Sequence, residues 1–126
     1  MIFWPEAMGK THNSETGNWG EEIAAQFLQA QKAFTIVHRN LRIGRSEVDI
    51  LCMDDLTLVF VEVKVRKNSQ FGHPESFVDA KKASHLHRAA DLYLEQTGFS
   101  GFIRFDVVAI TGSPKSFEIL HLPDFF

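Results

Sequence analysis

A carboxylate and an amine set inside an otherwise apolar strand constrain this chain more than any other feature. In Leu58-Val59-Phe60-Val61-Glu62-Val63-Lys64-Val65, six of the eight residues are apolar, and an ionised group carried into such a segment is costly unless something pairs with it. Side chains alternate along a strand with period two. Glu62 and Lys64 therefore share one face, while Val59, Val61, Val63 and Val65 share the other. A second short run, Glu47-Val48-Asp49-Ile50-Leu51, comes just before. There Glu47, Asp49 and Leu51 are expected on one face, with Val48, Ile50 and Cys52 on the other. The link Met53-Asp54-Asp55-Leu56-Thr57 is short and acidic, which suits an antiparallel hairpin that sets Asp49 across from Glu62.

Two carboxylates and a lysine at one point have the composition of a metal-dependent phosphodiesterase site. Hard cations such as magnesium take oxygen ligands and commonly only one or two protein carboxylates. Asp49 and Glu62 would hold the ion, the main-chain carbonyl of Val63 would complete the shell, and Lys64 would steady a water or a developing negative charge. Glu47 is either a further ligand or a solvated neighbour. The plainer alternative is an amphipathic strand whose Glu and Lys make surface salt bridges, since a lone E-x-K recurs by chance. The aspartate on the preceding strand raises the first reading above that background. Upstream, segment 18–32 lines up Ile23, Ala24, Phe27 and Leu28 on one helical face. Glu22 falls nearly opposite this stripe and Glu21 at its edge. Glu21 either looks into a cleft beside the core or acts as a first-turn carboxylate favouring the helix dipole, worth up to ~1 kcal/mol.

Several separated motifs follow one another in order: Gly20-Glu21-x-x-Ala24, Arg39-Asn40-x-Arg42, Glu47-Val48-Asp49, Val59-Phe60-Val61-Glu62-Val63-Lys64-x-Arg66, Phe71-Gly72-x-Pro74, then Lys82, Ala89-Ala90 and Arg104-Phe105-Asp106-Val107-Val108. In this the chain resembles the YraN family of bacterial proteins, over about residues 17–122. That family is similar to Holliday-junction resolvases, within the PD-(D/E)xK nuclease superfamily. The resemblance implies an α/β, restriction-endonuclease-like fold with a mixed sheet flanked by helices. It also implies a helix acid at Glu21, a metal aspartate at Asp49 and the E-x-K pair at Glu62 and Lys64, with Mg2+ or Mn2+ as cofactor. DNA, including branched or structured DNA, is the implied partner, and a homodimer is expected because paired cuts need two sites. One departure stands out: Ser46 occupies the place where the family usually has glycine. A positive φ there would strain a serine, and Gly44 is the alternative seat of the turn.

The rest of the chain fits around this core. At 126 residues and 44% hydrophobic content, it suits a single domain over 17–126 preceded by an N-terminal arm at 1–16. The lone Cys52 is expected to be a buried thiol, in keeping with a reducing cytoplasm. No stretch approaches the roughly 18 apolar residues of a membrane span, so no membrane partner is expected. A net charge of −3 excludes a protein that coats nucleic acid by bulk attraction. Positive charge is instead concentrated in His38, Arg39, Arg42, Arg45, Lys64, Arg66 and Lys67. Arg42 and Arg66 are candidates for phosphate contact, although Arg66 would serve equally as partner to an acid. A second helix is expected at 76–96, its apolar stripe running through Val78, Leu86, Ala89, Ala90 and Tyr93. Lys82 lies within that stripe, so it either snorkels past the core or stands at the edge of the active cleft as a nucleic-acid contact. The histidines show no metal-binding spacing. Arg104 and Asp106 share a strand face and are expected to form an ion pair. Strands are predicted at 35–43, 47–53, 58–65, 102–110 and 116–122, with a turn at 111–115. The leading reading is a metal-dependent DNA nuclease. A binding or assembly module that keeps the fold without turnover is the rival, and hydrolysis of a small phosphate compound is a third.

Overall fold

Two helices, Glu15–Gln31 (α1) and Ala80–Thr97 (α2), enclose the strands Thr35–Ile43 (β1), Ser46–Asp54 (β2), Thr57–Arg66 (β3), Phe102–Ser113 (β4) and Ser116–Leu122 (β5) in a computed structural model that describes residues 15–68 and 80–125. Residues 1–14 of the arm expected at 1–16, residues 76–79 of the expected second helix and the Phe71-Gly72-x-Pro74 motif lie outside the described residues, while 15 and 16 belong to α1. The strands form one mixed sheet in the order β1-β2-β3-β4-β5. Only β3 and β4 run parallel. A parallel pair needs a long crossover, and α2 lies in that connection. This α/β arrangement is consistent with the restriction-endonuclease-like fold. Among the described residues no helix is long and apolar enough to cross a membrane.

Each face of the sheet has its own core. Ala24, Ala25 and Leu28 of α1 pack on Ile50, Cys52, Val59, Val61, Val63, Val108 and Ile110. On the other side Leu86, Ala89, Ala90 and Tyr93 of α2 pack on Leu41, Ile43, Val48, Leu51, Leu58 and Phe60. The middle strand is buried on both faces from Leu58 to Val63. That is why its sequence reads as a near-continuous apolar run rather than an alternation with polar residues. Cys52 is buried as expected, and burial together with the nearby Asp106 charge pushes its thiol up to about 12.

Strand ends differ from the sequence reading in one consistent way: the hairpins are tighter. The β2–β3 pairing runs out to Asp54↔Thr57, leaving only Asp55 and Leu56 as the connection. Similarly, β4 and β5 pair as far as Ser113↔Ser116, so the turn predicted at 111–115 shrinks to Pro114-Lys115. The β1–β2 hairpin closes at Ile43↔Ser46 around Gly44-Arg45. Gly44 carries the positive φ, +59°, as the first central residue of a type II′ turn does. Ser46 has no positive φ and lies buried within β2, so the strain feared at this position is absent.

A second departure matters more for function. Val48 does not share a face with Ile50 and Cys52: it sits with Leu51 in the α2-side core, whereas Ile50 and Cys52 belong to the α1-side core. Alternation along β2 therefore breaks at Asp49. In β1, Asn40 adopts φ +54° between the paired residues Arg39↔Ile50 and Leu41↔Val48. Asparagine tolerates this left-handed conformation better than most residues. Pairing of β2 with β3 reaches Ile50↔Val61 and goes no further toward Asp49. The sheet opens where the acidic residues lie.

Candidate active site

At the parting of β2 and β3, Glu62 is almost completely buried, with 2% exposure. Its Oε2 atom lies 3.5 Å from Lys64 Nζ and 3.4 Å from Lys82 Nζ. Its other oxygen, Oε1, is buried with no hydrogen-bond partner among the described residues. Asp49 sits at the position the register would set across from Glu62. In place of a continued ladder, the Val63 N–H donates to Asp49 Oδ2 at 2.8 Å. A side-chain carboxylate thus takes up a main-chain donor that the separating strands leave behind.

The electrostatics follow from crowding acids at a partly dry point. Burial, and then the charge of Glu62, push Asp49 up to about 7, against the Val63 N–H and the two lysines. Glu62 is likewise raised by burial, with Lys82 and Lys64 pulling the other way. Burial opposes the charge on Lys82, but Glu62 and Asp49 outweigh it and hold the ammonium form more firmly than usual. Glu21, at 7% exposure, is pushed up to about 7 by burial and by Asp49, while a hydrogen bond from the Asn40 side chain and the charge of Arg39 counteract the shift. Asp49 and Glu62 face two ammonium groups, Glu21 lies within reach of the Asp49 charge, and each of the three carboxylates is harder to ionise than in water.

Glu21 reaches this place because of the residue before it. A Cβ on Gly20 would collide with Val65 Cγ2, so glycine alone lets the α1 backbone lie directly on β3. The close approach brings Glu21 under the electrostatic influence of Asp49. Asn40 was known only as part of a motif; the structure makes it both the kink in β1 and the hydrogen-bond partner of Glu21. Its sequence signal was a turn-forming residue in the middle of a strand.

The structure thus brings together Asp49, Glu62 and Lys64 and sets Glu21 near them. Lys82, expected either to snorkel past the core or to stand at the cleft edge, contacts Glu62 at 3.4 Å. Val63 contributes its N–H. The other expected contacts have partners of their own: Arg42 pairs with Glu47 at 3.6 Å on the exposed side of the hairpin, and Arg66 Nε donates to Thr111 Oγ1 at 3.3 Å. Arg39 pairs with Glu22 at 2.7 Å.

Does this donor set suit a metal? Among the described residues no three Asp, Glu, His or Cys side chains converge as a ligand cluster. Two carboxylates with an orphaned oxygen between them do suit a hard cation that keeps most of its waters. The chemistry of the donors therefore fits magnesium or manganese better than zinc, which takes three or four protein ligands with nitrogen or sulfur usually among them.

A separate polar network lies on the α1-side face of the sheet, where its charges act on Cys52. Asp106, fully buried, accepts hydrogen bonds from Arg104 at 2.8 and 3.0 Å, from His121 Nε2 at 2.8 Å and from the Asp124 N–H at 3.0 Å. Arg104 also reaches Asp54 at 2.8 Å. The expected Arg104–Asp106 pair is present, and His121, to which the sequence assigned no role, completes it.

Residues 20–110 match the model of the Uncharacterised protein family UPF0102. The chain is 43% identical to a UPF0102 protein of Syntrophomonas wolfei over 115 residues, covering 90% of this chain and 99% of that protein. It is 42% identical over 98 residues to a UPF0102 protein of Cytophaga hutchinsonii, 78% of this chain and 86% of the relative. A Phocaeicola vulgatus UPF0102 protein is 38% identical over 115 residues, 91% and 93% of the two chains. The match begins at the glycine on which α1 meets β3 and takes in Glu21, Asp49, Glu62, Lys64 and Lys82, and by it the chain belongs to the Uncharacterised protein family UPF0102, the YraN family its motifs resemble.

Proposed function

We propose that this protein is a divalent-metal-dependent nuclease that hydrolyses phosphodiester bonds in DNA, branched or structured DNA included. The observation that carries this reading is Glu62: a buried carboxylate with two lysines on one oxygen, no partner among the described residues on the other and Asp49 close by. A purely structural acid is normally satisfied on both oxygens. Asp49 and Glu62 would hold Mg2+ or Mn2+, with the Val63 carbonyl and water completing the shell. When bound, such an ion polarises a phosphoryl oxygen and makes a water easier to ionise.

The chain's own groups supply the rest. Lys64 orients the attacking water or stabilises negative charge as it develops on the phosphate. Lys82 offsets the charge of Glu62 and holds its carboxylate in place. Glu21, raised to about 7, can accept or hold a proton near neutrality, directly or through a water. Arg42 and Arg66 supply phosphate contacts that position the strand without reading sequence.

Purified protein incubated with labelled four-way junction, fork, single-stranded and duplex DNA, in magnesium, manganese or calcium, tests this by gel shift and cleavage. Asp49→Ala and Lys64→Ala should each lower cleavage by about 100-fold or more while circular dichroism and Tm show an intact fold. Undiminished cleavage by Lys64→Ala would rule out its assigned role. Binding without cleavage under every condition favours the assembly-module reading, for which the absence of a three-residue ligand cluster among the described residues speaks.

A further inference from the structure

Beyond the acids, β3 runs on into a concavity of about 690 Å³ lined by Trp19, Val65, Arg66, Lys67 and the β4–β5 turn. Its size is that of a small-ligand site. Among the described residues that line it, two are cationic and none is acidic. Trp19 is half-buried, its ring tilted on Phe117 with centroids 5.9 Å apart. Arg66 is steadied by Thr111 on the adjacent strand, and Lys67 is exposed. The contact of Gly20 with Val65 places Trp19 and Glu21 on either side of one point on β3. The same helix turn that sends Glu21 toward Asp49 sends Trp19 into this groove.

An aromatic face beside positive charge is how proteins hold single strands: bases stack on the ring and the backbone follows the cations. A paired base inside a duplex has no free face to offer. From Glu62 to Arg66 the strand advances roughly 13 Å at the usual rise per residue, so the groove lies within a few nucleotides of the acids. We propose that it binds an unpaired nucleotide of the DNA strand that enters the acidic site, so that the preferred substrate carries single-stranded DNA beside the cut. The direction of the strand rests on the nuclease reading; the groove's chemistry does not.

The test is binding of a blunt DNA hairpin and of the same hairpin with a short single-stranded tail, in calcium, by anisotropy and by tryptophan fluorescence in a Trp4→Phe background, which leaves Trp19 as the sole tryptophan. Tailed DNA should bind about tenfold tighter or more and quench Trp19. That preference should fall at least about fivefold in Trp19→Leu and in Lys67→Glu, the latter chosen because an exposed lysine carries no packing role. Equal affinity for the two DNAs, unaltered Trp19 emission, or a preference retained in Lys67→Glu overturns the proposal. Cleavage of both DNAs at equal rates with no tail preference leaves the nuclease standing and removes the groove. Tail preference retained in Asp49→Ala, when the wild type cuts nothing, supports the groove and removes the nuclease.

Discussion

Glu62 and Asp106 are both buried acids on neighbouring parallel strands, yet the protein treats them oppositely. Asp106 receives His121, both arms of Arg104 and a main-chain N–H. Burial pushes its carboxyl up, but these hydrogen bonds outweigh burial and hold it below the usual aspartate range. Glu62 has one oxygen without a partner among the described residues and is raised by burial. A satisfied acid stabilises; an unsatisfied one costs free energy that only a ligand can recover. The sign for Asp106 follows from linkage: its contribution is full above the unfolded pKa near ~3.9 and is lost as pH falls through the lower folded value. Urea midpoints of the wild type should therefore drop between about pH 5 and pH 3 more steeply than those of Asp106→Asn, and parallel curves would contradict the assignment. At this scale the sequence showed Arg104 with Asp106, two residues apart on one strand face. It concealed His121 and Asp54, because their partnership depends on which strands lie side by side.

Among the elements, α1 is placed by one glycine and β2 by one break in alternation. Gly20→Ala would drive a methyl into Val65. Overpacking of this kind costs about 1–3 kcal/mol, and here it would also lift Glu21 away from Asp49. Loss of both stability and cleavage is expected, with recovery in the Gly20→Ala, Val65→Ala pair; no recovery would mean that Gly20 matters for some reason other than contact. Ser46 tests the turn. Since Gly44 bears the positive φ and Ser46 is an ordinary buried strand residue, Ser46→Gly should lower stability by ~0.5–1 kcal/mol, as read by chemical denaturation. A gain in stability would show that the backbone at this position prefers glycine. Strands β1 and β5 were legible almost to the residue because their apolar periodicity and flanking turns agree. The face change at Asp49 was not, since period-two reasoning assumes a regular strand and Asn40 and Asp49 lie where β1 and β2 both depart from one.

For the molecule as a whole, the acids sit where β2 and β3 part and are reached from both helical layers, α1 through Glu21 and α2 through Lys82. A cation held there by native protein alone stabilises by mass action, about 2.7 kcal/mol at a hundred times its Kd. Magnesium or manganese should therefore raise Tm in a concentration-dependent way, and Asp49→Ala should abolish the dependence. A wild-type Tm indifferent to both metals, or one that rises equally in the variant, would remove Asp49 from the ligand set.

The sequence by itself determined the order of elements, the central apolar strand and the nearness of Asp49 to Glu62 and Lys64. These depend on local periodicity and on a hairpin of a few residues, and such short-range information is written in the chain. Only the tertiary structure decided that Lys82 joins Glu62, that Asn40 holds Glu21, that Val48 turns from its expected face and that Trp19 faces a basic groove. Each of these depends on two helices docking on opposite faces of a sheet, at a depth set by side chains far apart in sequence.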